Sequence, residues 1–173
     1  MPASALSAYD VAGWAGFLAV AAGVAATLTG LIFVAVSINL ARILEFLGLP
    51  ERAAETILQL LGAMIISLIA LVPGQSALVL GVELALAGAV LWILLTRLQL
   101  RSLKQLRSLK DTERRRPISS ILLAQLAAAP FVLAGTTLAL GRFGGLYWLV
   151  PGLIFSMTVG VTTAWVLLVE ILR

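Results

Sequence analysis

Residues 55–83 read E-T-I-L-Q-L-L-G-A-M-I-I-S-L-I-A-L-V-P-G-Q-S-A-L-V-L-G-V-E. Between Glu55 and Glu83 lie 27 residues without a charge. A helix crossing the hydrocarbon of a bilayer needs about 20 apolar residues. Pro73-Gly74 reads as a tight turn inside the run. The stretch therefore predicts the end of one spanning helix, a turn, and the start of a second that carries Glu83.

Outward from this stretch the same spacing recurs. There are 31 uncharged residues between Asp10 and Arg42, 25 between Arg116 and Arg142, and 27 between Arg142 and Glu170. Each gap holds one span. The prediction is an all-α polytopic membrane bundle, one transmembrane domain over 1–173. Its five helices run about 12–40, 52–72, 75–97, 118–140 and 146–170, with a basic cytoplasmic extension over 98–117. Composition agrees. Hydrophobic residues make up 61% and charged residues 12% of the 173, and mean hydropathy is +1.10. Soluble domains carry about 25% charged residues, so an ordinary soluble domain is excluded. Disorder, which needs low hydrophobicity and high charge, is excluded too.

Lys and Arg set the orientation of such a bundle. Ten of the 12 basic residues precede or separate helices on one predicted face, from Arg42 to Arg116, and Arg173 joins them; only Arg142 falls on the other. The basic face is expected to be cytoplasmic, with the N-terminus outside and the C-terminus inside. No Lys or Arg precedes the first apolar run, which is too long for a signal peptide, so it is expected to be an uncleaved anchor. Trp14 and Tyr147-Trp148 fall at the outer interface, where aromatic belts sit. Trp92 and Trp165 lie deeper, on the inner side, and are expected to be packing residues.

Lipid is as apolar as Leu, so helices associate in it through small residues that let backbones approach. The first helix carries Ala12, Gly16, Ala19, Gly23, Ala26, Gly30 and Ser37; the fifth carries Gly152, Ser156, Gly160 and Ala164. Both ladders are expected to bury against neighbouring helices, in this chain or in another copy. Pro130 lies near the middle of the fourth helix and is expected to kink it.

The extension contains L-R-S-L-K twice, at 100–104 and 106–110. Arg101, Lys104, Arg107, Lys110, Arg114, Arg115 and Arg116 make it a basic surface segment. Anionic headgroups attract such segments by about 1 kcal/mol per Lys or Arg. No aromatics interleave the run, so nucleic acid is not an expected partner.

An ionisable residue at membrane depth is a functional candidate. Glu83 is the clearest, about 12 Å along its helix from the turn at 1.5 Å per residue. Thr136, Thr137, Ser156 and Arg142 are its candidate partners. Glu55 and Gln59 share one face of the second helix, Gln125 lies at a depth close to Gln59 for an amide pair, and Asn39 and Ser37 lie at the inner end of the first helix. Glu45, Glu51 and Glu55 lie near Arg42 and Arg52, reading as an interfacial ionic cluster. Thr158-Val159-Gly160 matches the start of a potassium filter, but it sits inside an apolar helix where a filter needs an extended loop. The chain has no His and no Cys. The commonest general base is therefore absent, as are thiol chemistry and thiolate metal sites. No catalytic residue, metal ligand or cofactor site is expected.

The stretch A-T-L-T-G-L-I-F-V-A-V-S-I-N-L-A-R-I-L at 26–44, with Gly48-Leu49-Pro50 and Arg52-Ala53 after it, resembles a group of small uncharacterised bacterial multi-pass proteins. Some of these carry the label of modulators of a membrane-bound AAA protease. The resemblance covers about 30 residues and carries no catalytic or binding residue with it. It implies a bacterial inner-membrane protein. The expected function is non-enzymatic: helix–helix contact as an accessory or regulatory subunit or a homo-oligomer. The alternative is a homo-oligomeric channel or small transporter with Glu83 near the path.

Overall fold

A computed structural model describes residues 8–45, 49–107 and 118–168, without the side chains of 104–107 and 118–120. Among these residues there are six helices: α1 Ala15–Ile38, α2 Leu40–Glu45, α3 Leu49–Ala70, α4 Ala77–Arg107, α5 Ile118–Leu140 and α6 Leu149–Leu168. Short 3-10 turns, Ala12–Trp14 and Gly145–Trp148, lead into α1 and α6. Counting those turns, five segments are long and apolar enough to cross a membrane; only α2 is not.

Local chemistry sets the boundaries. Pro50 occupies the first turn of α3, where a missing N–H costs nothing. The tight end of α3 is closed by Leu71 N–H to Leu68 C=O at 3.1 Å and Val72 N–H to Ile69 C=O at 3.2 Å. Gly74 then takes φ +79°, open to glycine at no steric cost. Ser76 caps α4, its Oγ accepting from Val79 N–H at 3.3 Å. At the end of α5, Gly141 adopts φ +63°. Its N–H reaches Leu138 C=O and that of Arg142 reaches Thr137 C=O, both at 3.1 Å. This is the paired closure that satisfies the last carbonyls of a helix.

The fourth predicted span matches α5 end to end, and α5 runs unbroken through Pro130. The third runs further than expected. α4 continues to Arg107 over 31 residues, about 46 Å at 1.5 Å per residue. The first part of the basic extension is thus the same helix. The first span is shorter than expected because Asn39 leaves helical geometry, at φ −106° and ψ 17°.

The five long helices close into a ring in the order α1, α3, α4, α5, α6, with α3 and α6 also touching across it. One end of the bundle, the turn end, holds the 71–76 turn and the 141–148 loop. There Leu146 N–H bonds Ala8 C=O at 3.0 Å, and Trp14 meets Tyr147 edge to face at 5.0 Å. The opposite end carries Asn39, Arg97 and Arg101 and is the basic end. Two apolar clusters fill the interior. Leu18, Ile66, Leu84, Phe131 and Leu153 are among those in the larger, which reaches the turn end. Ile32, Ile43, Leu60 and Leu167 are in the smaller, toward the basic end.

Candidate functional site

Polar side chains inside the bundle gather into separate groups. Along the α3–α6 contact, the Gln59 amide Nε2 donates to Ser156 Oγ at 2.8 Å. The Ser156 hydroxyl in turn donates to Gly152 C=O at 2.7 Å. One turn toward the basic end, the Thr56 hydroxyl lies 3.1 Å from that of Thr163 and donates to Arg52 C=O at 2.9 Å. Beyond it, Asn39 Nδ2 donates to Leu167 C=O at 3.0 Å. Asn39, Glu55, Thr56, Gln59 and Ser156 are all buried. Arg52, Glu55, Thr56, Gln59 and Thr163 border a cavity of about 40 Å³. A neighbouring cavity of about 70 Å³ shares Arg52 and Thr163 and extends to Leu49 and Leu167.

A second network joins α4 to α5. Gln125 Nε2 donates to Gln99 Oε1 at 2.7 Å and to Thr96 Oγ1 at 3.3 Å, and Gln125 Oε1 accepts from Trp92 Nε1. Gln59 and Gln125 therefore do not pair. Each is drawn to a different neighbour, Gln59 to α6 and Gln125 to α4. Equal depth does not fix which faces meet in a five-helix ring. Trp92 and Trp165 are not interior residues, at 41% and 61% exposed. Trp92 leans across the bundle surface to reach its amide, and Trp165 sits on the outward face of α6.

Glu83 is half-buried, and its Oε2 accepts from Gln75 Nε2 at 2.6 Å. None of the expected partners holds it. Gln75 lies just before α4, and its side chain folds down onto the first turns. Thr136 and Thr137 instead return their hydroxyls to Leu133 and neighbouring carbonyls of their own helix. Many hydroxyls of the long helices do likewise: Thr27, Thr29, Ser37, Ser67, Thr158 and Thr162 each bond the carbonyl one turn back, at 2.8 to 3.0 Å.

The two ladders face opposite ways. Gly152, Ser156, Gly160 and Ala164 are buried. A methyl at Gly152 would lie 2.9 Å from the Phe131 ring, and one at Gly160 3.0 Å from Leu60. Ala19, Ala26 and Ser37 are exposed, and a β-carbon added at Gly16, Gly23 or Gly30 would meet nothing within 4 Å. α1 buries Leu18, Ala22, Ala25 and Ile32 instead. The closest backbone approach was not expected from the sequence. A β-carbon at Gly135 of α5 would fall on the backbone N of Ala85, one at Gly81 would lie 2.5 Å from Ala139 N, and one at Gly88 2.9 Å from Val132 N. The clue is Gly81-Ala85-Gly88, the same four-then-three step, around bulkier neighbours.

Arg97 and Arg101 are exposed at the basic end. Lys110, Arg114, Arg115 and Arg116 lie outside the described residues, as do the side chains of Lys104 and Arg107. Among the described residues, no three His, Cys, Asp or Glu side chains gather as metal ligands. Chemically the interior offers amides, hydroxyls and a few carboxylates, which suit hydrogen bonding or hard-ion contact. The chain matches no family model, no curated protein and no solved structure.

Proposed function

We propose that the protein is a non-enzymatic, multi-pass protein of a bacterial inner membrane that works through helix–helix contact. It acts as a homo-oligomer or as an accessory or regulatory subunit of another membrane protein. The observation that carries this reading is the uncovered small-residue face of α1. The chain uses small residues for contact in α4, α5 and α6, yet leaves the most regular ladder facing outward. In lipid such a face gains by meeting another helix, because close approach is what small residues supply. The resemblance to labelled AAA-protease modulators points the same way. In this reading the basic end is cytoplasmic, the N-terminus is outside, and Arg101 and the basic residues after it contact anionic headgroups.

The chain has no Cys, so single introduced thiols report contacts directly. Ala26→Cys on the open face is expected to form disulfide-linked or partner-linked species in oxidised membranes. Ala25→Cys, on the buried face, is expected to form none. Cross-linking from neither position, together with a monomer in mild detergent, would count against the reading.

A homo-oligomeric channel or transporter is the second reading, favoured by one observation: the Glu83 carboxylate is only partly covered near the turn end. Ion flux through proteoliposomes that falls in Glu83→Gln supports it, and absence of flux in the parent protein removes it.

A further inference from the structure

The Gln59 amide has one satisfied end and one bare end. Its Nε2 donates to Ser156 Oγ, and the Ser156 hydroxyl donates to Gly152 C=O. A hydroxyl has one proton, so Ser156 has none left for an amide oxygen. Oε1 is therefore the bare end: it has no hydrogen-bond partner, although Gln59 is 1% exposed. A buried acceptor without a donor costs about 1–3 kcal/mol, which an occupant able to donate would offset.

Beside Gln59 lies the cavity of about 40 Å³, bordered also by Arg52, Thr56 and Thr163 and by Glu55, which has a partner of its own. Among the described residues Ser156 is not part of its wall. Voids that stay dry are walled by apolar groups, whereas polar ones hold water, each molecule needing about 10–15 Å³ and two or more polar partners. The cavity of about 40 Å³ thus has room for about three waters. The wall selects water over an ion. Oε1 needs a donor, while the Arg52 guanidinium is a donor and repels a second cation. Water answers both groups, because it donates and accepts and brings no charge. The cavity of about 70 Å³ shares Arg52 and Thr163 and reaches Leu49, where α3 begins at the basic end. Gln59 is ten residues further along α3, about 15 Å at 1.5 Å per residue. Past Gln59 the larger apolar cluster takes over, with Ala63, Ile66 and Leu153 buried in it.

We propose that the seam between α3 and α6 holds a blind, water-filled crevice that runs from the basic end to the Gln59 amide oxygen. Solvent enters the bundle there and goes no further. The proposal does not depend on what α1 contacts or on which face is cytoplasmic, so its test uses the full chain in lipid nanodiscs, open on both faces. The first measurement is magnetisation transfer from water by NMR. The Gln59 side-chain amide is expected to gain signal as fast as the exposed Gly74 amide, and the amide of Ser67, in the buried interior, far more slowly. The second uses a charged methanethiosulfonate, which reacts with thiolate and so requires a hydrated thiol. Thr163→Cys, on the wall of both cavities, is expected to react at least about ten-fold faster than Val161→Cys on the outward face of α6, since apolar surroundings raise a thiol's pKa and one unit is ten-fold in thiolate. Transfer to Gln59 as slow as to Ser67 overturns the proposal even where Thr163→Cys reacts. Equal reaction at positions 161 and 163 overturns it as well, because the water would then be sealed from the basic end.

Discussion

Gly135 has no room for a β-carbon. The added methyl of Gly135→Ala would collide with the backbone N of Ala85, and a backbone atom cannot swing aside as a side chain can. Overpacking of this kind costs about 1–3 kcal/mol, and the upper end is expected here. Gly16→Ala meets open space and should stay within about 0.5 kcal/mol of the parent. Reversible unfolding in mixed micelles measures both. A second contrast lies in the α3–α6 seam. Ser156→Ala strands the buried Gln59 Nε2, whereas Gln59→Leu leaves Ser156 bonded to Gly152. Ser156→Ala should therefore be the more destabilising, by about 1 kcal/mol. Equal losses would show that the seam is wet enough to replace the lost partner. The Gly152 ladder was legible because its step of four is unbroken. The Gly135 contact was not, because one glycine on α5 carries no period of its own.

α1 carries two heptad-spaced faces, and among the described residues only one packs against the other helices. The inward face mixes Leu18 and Ile32 with Ala22 and Ala25; the outward one is smaller throughout. Hydropathy cannot rank these faces, since in a bilayer, the proposed setting, the surroundings are as apolar as the interior. That is why the ladder could be found in the sequence but its direction could not. The junction after α1 rests on Asn39, whose amide donates to Ala35 C=O at 3.2 Å and to Leu167 C=O at 3.0 Å. Removing it in Asn39→Ala unties α2 from α6. The expected cost is about 1 kcal/mol, with faster hydrogen exchange over Leu40–Glu45. Unchanged exchange there would mean that Ile43, buried in the core, anchors α2 without it.

Across the whole molecule, the few charges wrote most of the architecture. Their gaps located the five segments long and apolar enough to cross a membrane, because a charge at membrane depth is expensive wherever it falls. Orientation can be read with the thiol-free background. Gly74→Cys and Phe143→Cys, both exposed at the turn end, should react with an impermeant thiol reagent on intact cells. Glu45→Cys at the opposite end should react only after permeabilisation. The reverse pattern would invert the proposed topology. What the charges could not supply is which helices are neighbours, and the pairing of Gln59, Gln125 and Glu83 was lost with that. The self-bonded hydroxyls have a consequence for genetics. Thr27, Thr29, Thr158 and Thr162 satisfy themselves one turn back, so the helices carrying them need no polar neighbour. In a saturation mutagenesis screen, valine or alanine at those four codons should pass unnoticed. Sensitivity should concentrate at Thr56, Thr163 and Ser156, where a hydroxyl connects two segments of chain.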